Sequence, residues 1–595
     1  MIPSREPLHR WCNVFWVSGP QDRSPHPAVG VHDADGPGAP YRSFFKQAVM
    51  KTTRISVSAS TPSPPRSRSA TRSGGAAVLL LAGILAVAGC GPAQADRAKV
   101  PEPAPSASMP ASPQDPLPEL TAFYAQHPVW SPCGQGAECA EMEVPLDYDA
   151  PAEGRISLAV KRVRSTGSAE GGALLVNFGG PGASGTALVE GFAAGMASPE
   201  LLAAYEVVGF DPRGVGSSTP VECVDDAGLD ALRAARYDFD TTAGLAEYAT
   251  AARDFARACE RNTGSLLGEV DTVSAARDLD IVRAVLGQAK LDYLGYSYGT
   301  LLGATYADLF PQRTGRLVLD GAVDPSISYA EITAAQATGF EAAMRAYAES
   351  CTAGADCPLT GGPDEAVAQV RALLDRAEAT PLPTADGREL TSRLAATGIL
   401  VGLYDDQLWP VLTGALAQAL HAGDGSELMF LADVVAQRQP DGSYLGNYLE
   451  VQPAINCLDY PMEADPAAMA AEAARFQEAS PTFGHLLGYS AIRCQDWPYE
   501  PTGRPGPITA EGAAPILVVG TTGDPATPYA WAEALAGQLA SGHLLTWQGR
   551  GHTAYGRADE CLEDAVDAYL IEGTLPPEDL TCGPATQHEP DSSSS

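Results

Sequence analysis

Residues 291–311 read LDYLGYSYGTLLGATYADLFP. Leu291, Tyr293 and Leu294 make a short apolar run of strand character, and Leu301, Leu302, Tyr306 and Leu309 recur at helical spacing until Pro311 stops the run. Between the two lies Gly295-Tyr296-Ser297-Tyr298-Gly299, a GxSxG pentapeptide. A chain that turns this sharply from strand to helix has room only for glycine two residues either side of the apex, and the apical side chain is held exposed above the sheet. A glycine-rich turn with an incidental serine would also yield GxSxG. The strand before it and the helix after it favour a nucleophile elbow, with Ser297 as the nucleophile.

A serine hydroxyl reacts at neutral pH only if a base takes its proton. Downstream, PILVVGTTGDPATP (515–528) reads as an apolar strand followed by a loop carrying Asp524, and HLLTWQGRGHTAYG (543–556) as a strand followed by a loop carrying His552. Alone, Asp524 before a proline is an ordinary turn or cap residue, and His552 is one of nine histidines. Together, the order Ser, Asp, His with each member after a strand is the chain order of α/β-hydrolases, not that of chymotrypsin or subtilisin. An oxyanion hole must add two backbone N–H groups. The strand and glycine-rich loop ALLVNFGGPGASG (173–185) is the expected source of one, from Gly179 with Gly180 as its close rival; Tyr298, after the nucleophile, is the expected source of the other. The loop lacks the lysine of a P-loop and the spacing of a dinucleotide site, and no HExxH, EF-hand or zinc-spaced Cys/His cluster occurs, so no cofactor and no metal are expected.

Strand-like runs at EMEVPL, ISLAVKRV, ALLVNF, YEVVGFD, LDYLGY, RLVLDG, PILVVG and HLLTW alternate with helical stretches such as DTVSAARDLDIVRAVLG (271–287). The fold class this predicts is α/β, a mostly parallel eight-stranded sheet with helices on both faces. From about 326 to 505 the pattern turns mainly helical, as in PDEAVAQVRALLDRAEA (363–379) and WPVLTGALAQALHAG (409–423). The expected organisation is therefore a core in two parts, 119–325 and 506–588, interrupted by a helical lid at 326–505. A helical decoration remote from the chemistry is the alternative, but insertions near the carboxyl ends of strands usually overhang the site.

The strings VNFGGPGASG, VVGFDPRGVGSS, LGYSYGT, RLVLDGAVDP, GTTGDPATP and GRGHTAYG, in this order, resemble those of the secreted tripeptidyl aminopeptidases of actinobacteria, relatives of prolyl aminopeptidase within the α/β-hydrolases. The resemblance runs from about residue 119 to about 588. Prolyl aminopeptidases carry His-Gly before GPG where this chain has Asn177-Phe178-Gly179. The resemblance implies hydrolysis of a peptide bond near a free N-terminus through an acyl-enzyme, releasing a short N-terminal piece, with peptide or protein N-termini as substrates. Such an enzyme must recognise the substrate ammonium, and lid carboxylates are the obvious means. Glu450 and Asp459, in NYLEVQPAINCLDYP, are the candidates, each equally readable as a capping carboxylate; Thr527 could line the pocket or merely shape the acid loop. An esterase, lipase or thioesterase with the same triad is the nearest rival, and a non-enzymatic surface lipoprotein the third reading.

The amino-terminal region speaks to location. Residues 50–89 carry Lys51, Arg54, Arg66, Arg68 and Arg72 without an acid, then the apolar run AAVLLLAGILAVAG, which together read as a signal peptide. It ends in Val87-Ala88-Gly89-Cys90, a lipobox pattern that would leave a lipidated Cys90 as the new N-terminus; secretion after Ala86-Val87-Ala88 is the alternative. Residues 1–49, including Cys12, precede this signal and read as a gene-model extension. Residues 90–118 read as a Pro/Ala-rich spacer and 589–595 as a disordered tail. With 38 bases against 73 acids the net charge is −35, which excludes nucleic acid as a partner and leaves membrane contact to the lipid anchor. The ten remaining cysteines suggest disulfides in an exported chain, with sequence neighbours expected to pair: Cys133 with Cys139, Cys223 with Cys259, Cys351 with Cys357, Cys457 with Cys494 and Cys561 with Cys582.

Overall fold

The computed structural model describes residues 118–134, 136–578 and 580–584. The expected extension, signal peptide, Cys90 lipidation site, spacer up to residue 117 and terminal tail lie outside the described residues. The strands are β1 (Ser131–Pro132), β2 (Ala137–Pro145), β3 (Arg155–Val163), β4 (Gly172–Asn177), β5 (Tyr205–Phe210), β6 (Leu291–Tyr296), β7 (Thr314–Asp320), β8 (Leu382–Pro383), β9 (Glu389–Leu390), β10 (Ile516–Gly523), β11 (Gly542–Arg550) and β12 (Thr581–Cys582). All eight strands expected from the sequence are present. They form one ten-stranded sheet in the order β1-β2-β3-β5-β4-β6-β7-β10-β11-β12, larger than expected by the two-residue strands β1 and β12, which are too short for any periodicity to mark. The pairs from β5–β4 through β11–β12 are parallel, and β1–β2, β2–β3 and β3–β5 antiparallel.

The central strands are apolar throughout because both sheet faces are covered, and their side chains alternate between two cores. Leu175, Tyr293, Leu317 and Val518 join one core with the helices Thr272–Val285 and Tyr298–Leu309; Leu174, Leu294, Val318 and Leu517 join the other with Gly185–Gly195 and Glu560–Glu572. Residues between β7 and β10 form the helices Tyr329–Ala353, Pro363–Ala379, Ser392–Leu403, Trp409–Ala417, Ser426–Ala436, Tyr448–Asp459 and Pro466–Ala479, with β8 and β9 as a small antiparallel pair. Much of this insertion has a core of its own around Met344, Leu373, Ile399 and Leu412. Among the described residues no helix is long and apolar enough to cross a membrane.

The ten described cysteines pair as sequence neighbours, 133–139, 223–259, 351–357, 457–494 and 561–582. Each such bridge restricts the unfolded chain and contributes ~2–4 kcal/mol where unstrained.

The motif FDPRG after β5 is explained by two buried charges. Asp211 accepts hydrogen bonds from Ser184 Oγ (2.7 Å), Thr186 N (2.9 Å) and Ser217 N (2.9 Å), tying the turn after β5 to the start of the helix that follows the GGPG loop. Arg213, fully buried, grips both oxygens of Asp278 at 2.7 Å and donates to the carbonyls of Pro145, Leu146 and Glu269. Every lone charge here is compensated, so removing one partner is what destabilises. Asp278→Ala should cost about 3–5 kcal/mol in urea unfolding by stranding the guanidinium, whereas Arg213→Met with Asp278→Leu together should cost much less.

Candidate active site

The elbow is built as a close approach of backbones. Ser297 adopts φ 56° and ψ −123°, a region that non-glycine residues avoid and that persists only where surrounding structure enforces it. A Cβ on Gly295 would collide with the Gly299 carbonyl, and one on Gly299 would fall 2.8 Å from Asn177 Oδ1 and 2.9 Å from the Asn177 carbonyl oxygen. Glycine is thus required at both positions by contact across the turn and with β4. The Ser297 N–H donates to the Asp320 carbonyl at 2.9 Å, and its own carbonyl accepts from Thr300 N (2.8 Å) and Thr300 Oγ1 (2.6 Å).

Asp524 follows the bulge at the end of β10, and His552 lies in the loop after β11. His552 Nδ1 stands 2.9 Å from Asp524 Oδ2 and 3.0 Å from Oδ1. Asp524 also accepts from Ala526 N (2.8 Å), Thr527 N (2.8 Å), Thr527 Oγ1 (2.9 Å) and Thr553 N (3.1 Å). Burial alone would raise this carboxyl; the imidazole and the converging donors outweigh it and hold the pKa below the ordinary range. An ionised carboxylate only accepts, so Nδ1 carries the proton and Nε2 is left as the basic nitrogen. Thr527 is buried, and its hydroxyl donates to Asp524 and lies 3.2 Å from His552 Nδ1, so it shapes the acid loop.

Asp320, at the end of β7, joins the two halves of the site. Its carbonyl holds Ser297, while its buried carboxylate accepts from Ala554 N (2.9 Å to Oδ2) and Tyr555 N (2.8 Å), the residues just beyond His552. Burial pushes its pKa up to about 6 against the pull of those two N–H groups. The next residue, Gly321, has φ +67° and a Cβ there would fall 3.3 Å from His552 Cε1. The sequence reading missed Asp320; the one signal was a carboxylate closing the otherwise apolar strand RLVLD.

The oxyanion expectation needs one correction. The Gly179 N–H donates to Asn177 Oδ1 at 2.9 Å and is therefore occupied. What Gly179 contributes is space: a Cβ there would fall 2.9 Å from Ser297 Cβ and 3.2 Å from Tyr298 N. Its rival Gly180, at φ +110°, keeps an N–H with no partner among the described residues. Tyr298 is the first residue of its helix, so its N–H has no acceptor within it.

The insertion touches every part of this site. His552 N–H donates to the Tyr404 carbonyl at 2.6 Å, and the two rings meet edge to face at 5.4 Å. Asp405, fully buried, binds Arg557 (2.8 Å), which also donates to the carbonyls of Thr553 and Arg550 and so spans the His552 loop. Gln336 donates to the Ala526 carbonyl in the Asp524 loop at 2.9 Å. Over the GGPG loop, Cβ atoms on Gly180 and Gly182 would fall 3.2 Å from Tyr448 and 2.7 Å from Val451. The two candidate ammonium carboxylates are both committed elsewhere, which corrects that expectation. Glu450 Oε1 accepts from Cys223 N (2.6 Å) and Val224 N (3.0 Å), securing the segment bridged by Cys223–Cys259. Asp459 accepts from Thr272 N (2.8 Å) and Thr272 Oγ1 (2.6 Å), and that hydroxyl lies 2.6 Å from the Tyr298 OH.

Asp320→Ala should leave two buried N–H groups unpaired, cost about 1–3 kcal/mol in stability and, by loosening the His552 loop, lower kcat on a simple ester about 100-fold, measured by urea denaturation and steady-state kinetics. Burial raises Asp459 to about 7 from an ordinary 3.8. Its folded form keeps a proton that the unfolded chain has already lost, so its contribution is complete below about pH 4 and erodes as pH rises toward about 7. Asp459→Asn keeps an acceptor for the Thr272 N–H, and its Tm should fall less than that of the unaltered protein between about pH 5 and about pH 8.

Residues 172–398 match the family model described as alpha/beta hydrolase fold, and residues 480–582 match the one described as TAP-like protein. Serine protease Hip1 of Mycobacterium tuberculosis is 38% identical over 474 residues, covering 76% of this chain and 90% of that one. Carboxylesterase B of Mycobacterium tuberculosis is 41% identical over 454 residues, covering 75% and 86%. Tripeptidyl aminopeptidase of Streptomyces lividans is 32% identical over 466 residues, covering 76% and 85%. With this extent of similarity, and with a parallel sheet that carries a serine elbow and an Asp–His pair in the matching order, the chain belongs to the α/β-hydrolase family and is a serine hydrolase of its TAP-like branch.

Proposed function

We propose that this chain is an exported serine aminopeptidase that hydrolyses peptide bonds near a free N-terminus and releases tripeptides. The observation that carries the reading is the strained Ser297 elbow tied through Asp320 to the loop of a His552 already paired with an ionised Asp524, with the insertion folded onto both loops. The names of the relatives, serine protease and tripeptidyl aminopeptidase, agree with it.

In this mechanism Ser297 Oγ attacks the scissile carbonyl carbon while His552 Nε2 takes the hydroxyl proton. Asp524 stays ionised and stabilises the imidazolium. The negative oxygen of the tetrahedral intermediate is held by the N–H groups of Tyr298 and Gly180. Collapse breaks the C–N bond, His552 returns the proton to the departing amine, and the N-terminal piece remains as an ester on Ser297. Water, deprotonated by His552, then attacks that ester, and the proton goes back to Ser297 as the acid is released. The insertion acts as a lid that keeps the groove short and dry, which suits an enzyme acting close to a chain end.

Export is supported by five disulfides, which persist in oxidising compartments. Lipidation at Cys90 would hold the enzyme at the outer face of the plasma membrane, with peptide N-termini as its substrates. A second reading, hydrolysis of carboxylic esters by the same residues, is favoured by the 41% identity to carboxylesterase B. A chromogenic tripeptide amide and its N-acetylated twin separate the two. The free-amine substrate should be cleaved far faster, and Ser297→Ala should lower turnover on the order of a millionfold. Equal cleavage of both forms, or cleavage of esters alone, would overturn the aminopeptidase reading.

A further inference from the structure

Among the described residues, two half-buried arginines of the insertion meet a carboxylate. Arg388 pairs with Asp433, Arg438 with Asp230 and, across to the His552 loop, Asp405 pairs with Arg557. Arg371, Arg393 and the exposed Arg493 have no such ion pair among the described residues. Arg393, on the helix Ser392–Leu403, lies with its guanidinium carbon 5.9 Å from the ring centres of Tyr237 and Phe239 and 6.0 Å from that of Tyr248, and makes no ion pair among the described residues. Arg493, an exposed residue, donates through Nε to the Tyr248 hydroxyl at 2.9 Å. The Cys457–Cys494 bridge pins the backbone beside it.

Burial, and after it the charge of Arg493, lowers the pKa of Arg393, so the two cations are near enough to oppose each other. Among the described residues neither has an ion-pair partner. Stacking on rings offsets part of the cost of holding two cations together but leaves the planar N–H fork of Arg393 unused. That fork matches a carboxylate in a bidentate way. Arg493 opposes the burial-driven rise of the Tyr329 phenol; Tyr448, raised to about 12 by burial and then by Tyr329, lies against Gly180 of the oxyanion loop. Tyr329 packs against Tyr460, ring centres 5.6 Å apart, beside the Asp459 whose partner Thr272 meets the Tyr298 hydroxyl.

We propose that Arg393 and Arg493, braced by Tyr237, Phe239 and Tyr248, form a subsite for a carboxylate of the peptide substrate, either an acidic side chain or the free C-terminus of a short peptide. The proposal rests on the peptidase reading for its ligand class. Two cations repel an ammonium, so this subsite takes a part of the substrate other than its N-terminus.

The test measures binding to the Ser297→Ala protein by calorimetry, which needs no turnover. One arm compares Glu-Glu-Glu amide with Gln-Gln-Gln amide; the other compares hexa-alanine as the free acid with its C-terminal amide. The arm that matches the natural ligand should show about tenfold tighter binding of the acidic member, weakening as salt rises. That preference should vanish when Arg493→Gln is added and should recover only partly with Arg493→Lys. Arg393→Gln should act the same way. With Ser297 intact, each arginine variant should hydrolyse p-nitrophenyl acetate at the unaltered rate. Equal binding within both pairs, or a preference that survives Arg493→Gln, would overturn the subsite. If amide substrates are never cleaved but the preference holds, the peptidase reading fails and the carboxylate subsite stands.

Discussion

Asp320 is the constraint on which the active centre depends. One residue at the end of β7 uses its carbonyl to hold Ser297 and its carboxylate to hold Ala554 and Tyr555, in the loop beyond His552. A carboxylate taken fully out of water is costly unless donors converge on it, and here two N–H groups do. The nucleophile and the base sit on loops that leave different strands. A shared anchor between those strands fixes their distance more firmly than either loop could by itself. The strained backbone at Ser297 is tolerable for the same reason: its neighbours on β4 and β7 leave it no relaxed alternative.

The second constraint is the way the insertion is fastened. Asp405 and Arg557 are buried together, and Arg557 spends its remaining N–H groups on carbonyls of the His552 loop. Such a pair adds little net stability because both charges are desolvated, but its geometry is demanding. Its effect is to set one position of the insertion relative to His552, with Tyr404 packed against the imidazole. The helix Tyr448–Asp459 does the equivalent over the glycine loop, where missing side chains let Tyr448 and Val451 approach the backbone. Acid, base and glycine loop are therefore each covered by a different part of the insertion.

Much of the fold was legible because its signals are local. The helix Pro363–Ala379 coincides with the stretch read from its periodicity, and Thr272–Val285 begins where Asp271 caps it. The elbow was legible from Gly295, Ser297 and Gly299, since a turn that tight dictates its own residues. The edge strands β1 and β12 were not, because two residues carry no period. The oxyanion loop was half legible: its glycines announce a close approach, but that Asn177 occupies the Gly179 N–H depends on a side-chain orientation no spacing encodes.

By itself the sequence determined the strand and helix order, the serine elbow, the acid and base in their order and the neighbour pairing of the cysteines, all properties of short stretches of chain. Only the tertiary structure decided which polar groups are free and which are spent. Glu450 and Asp459 look alike in sequence as candidate ligands for an ammonium, yet each is consumed by N–H groups 227 and 187 residues away. Arg393 and Arg493 look like any two of the basic residues, yet they meet over one tyrosine. A buried polar group must find a partner, and which partner it finds is set by the packing of distant elements, for which local sequence carries no period and no motif.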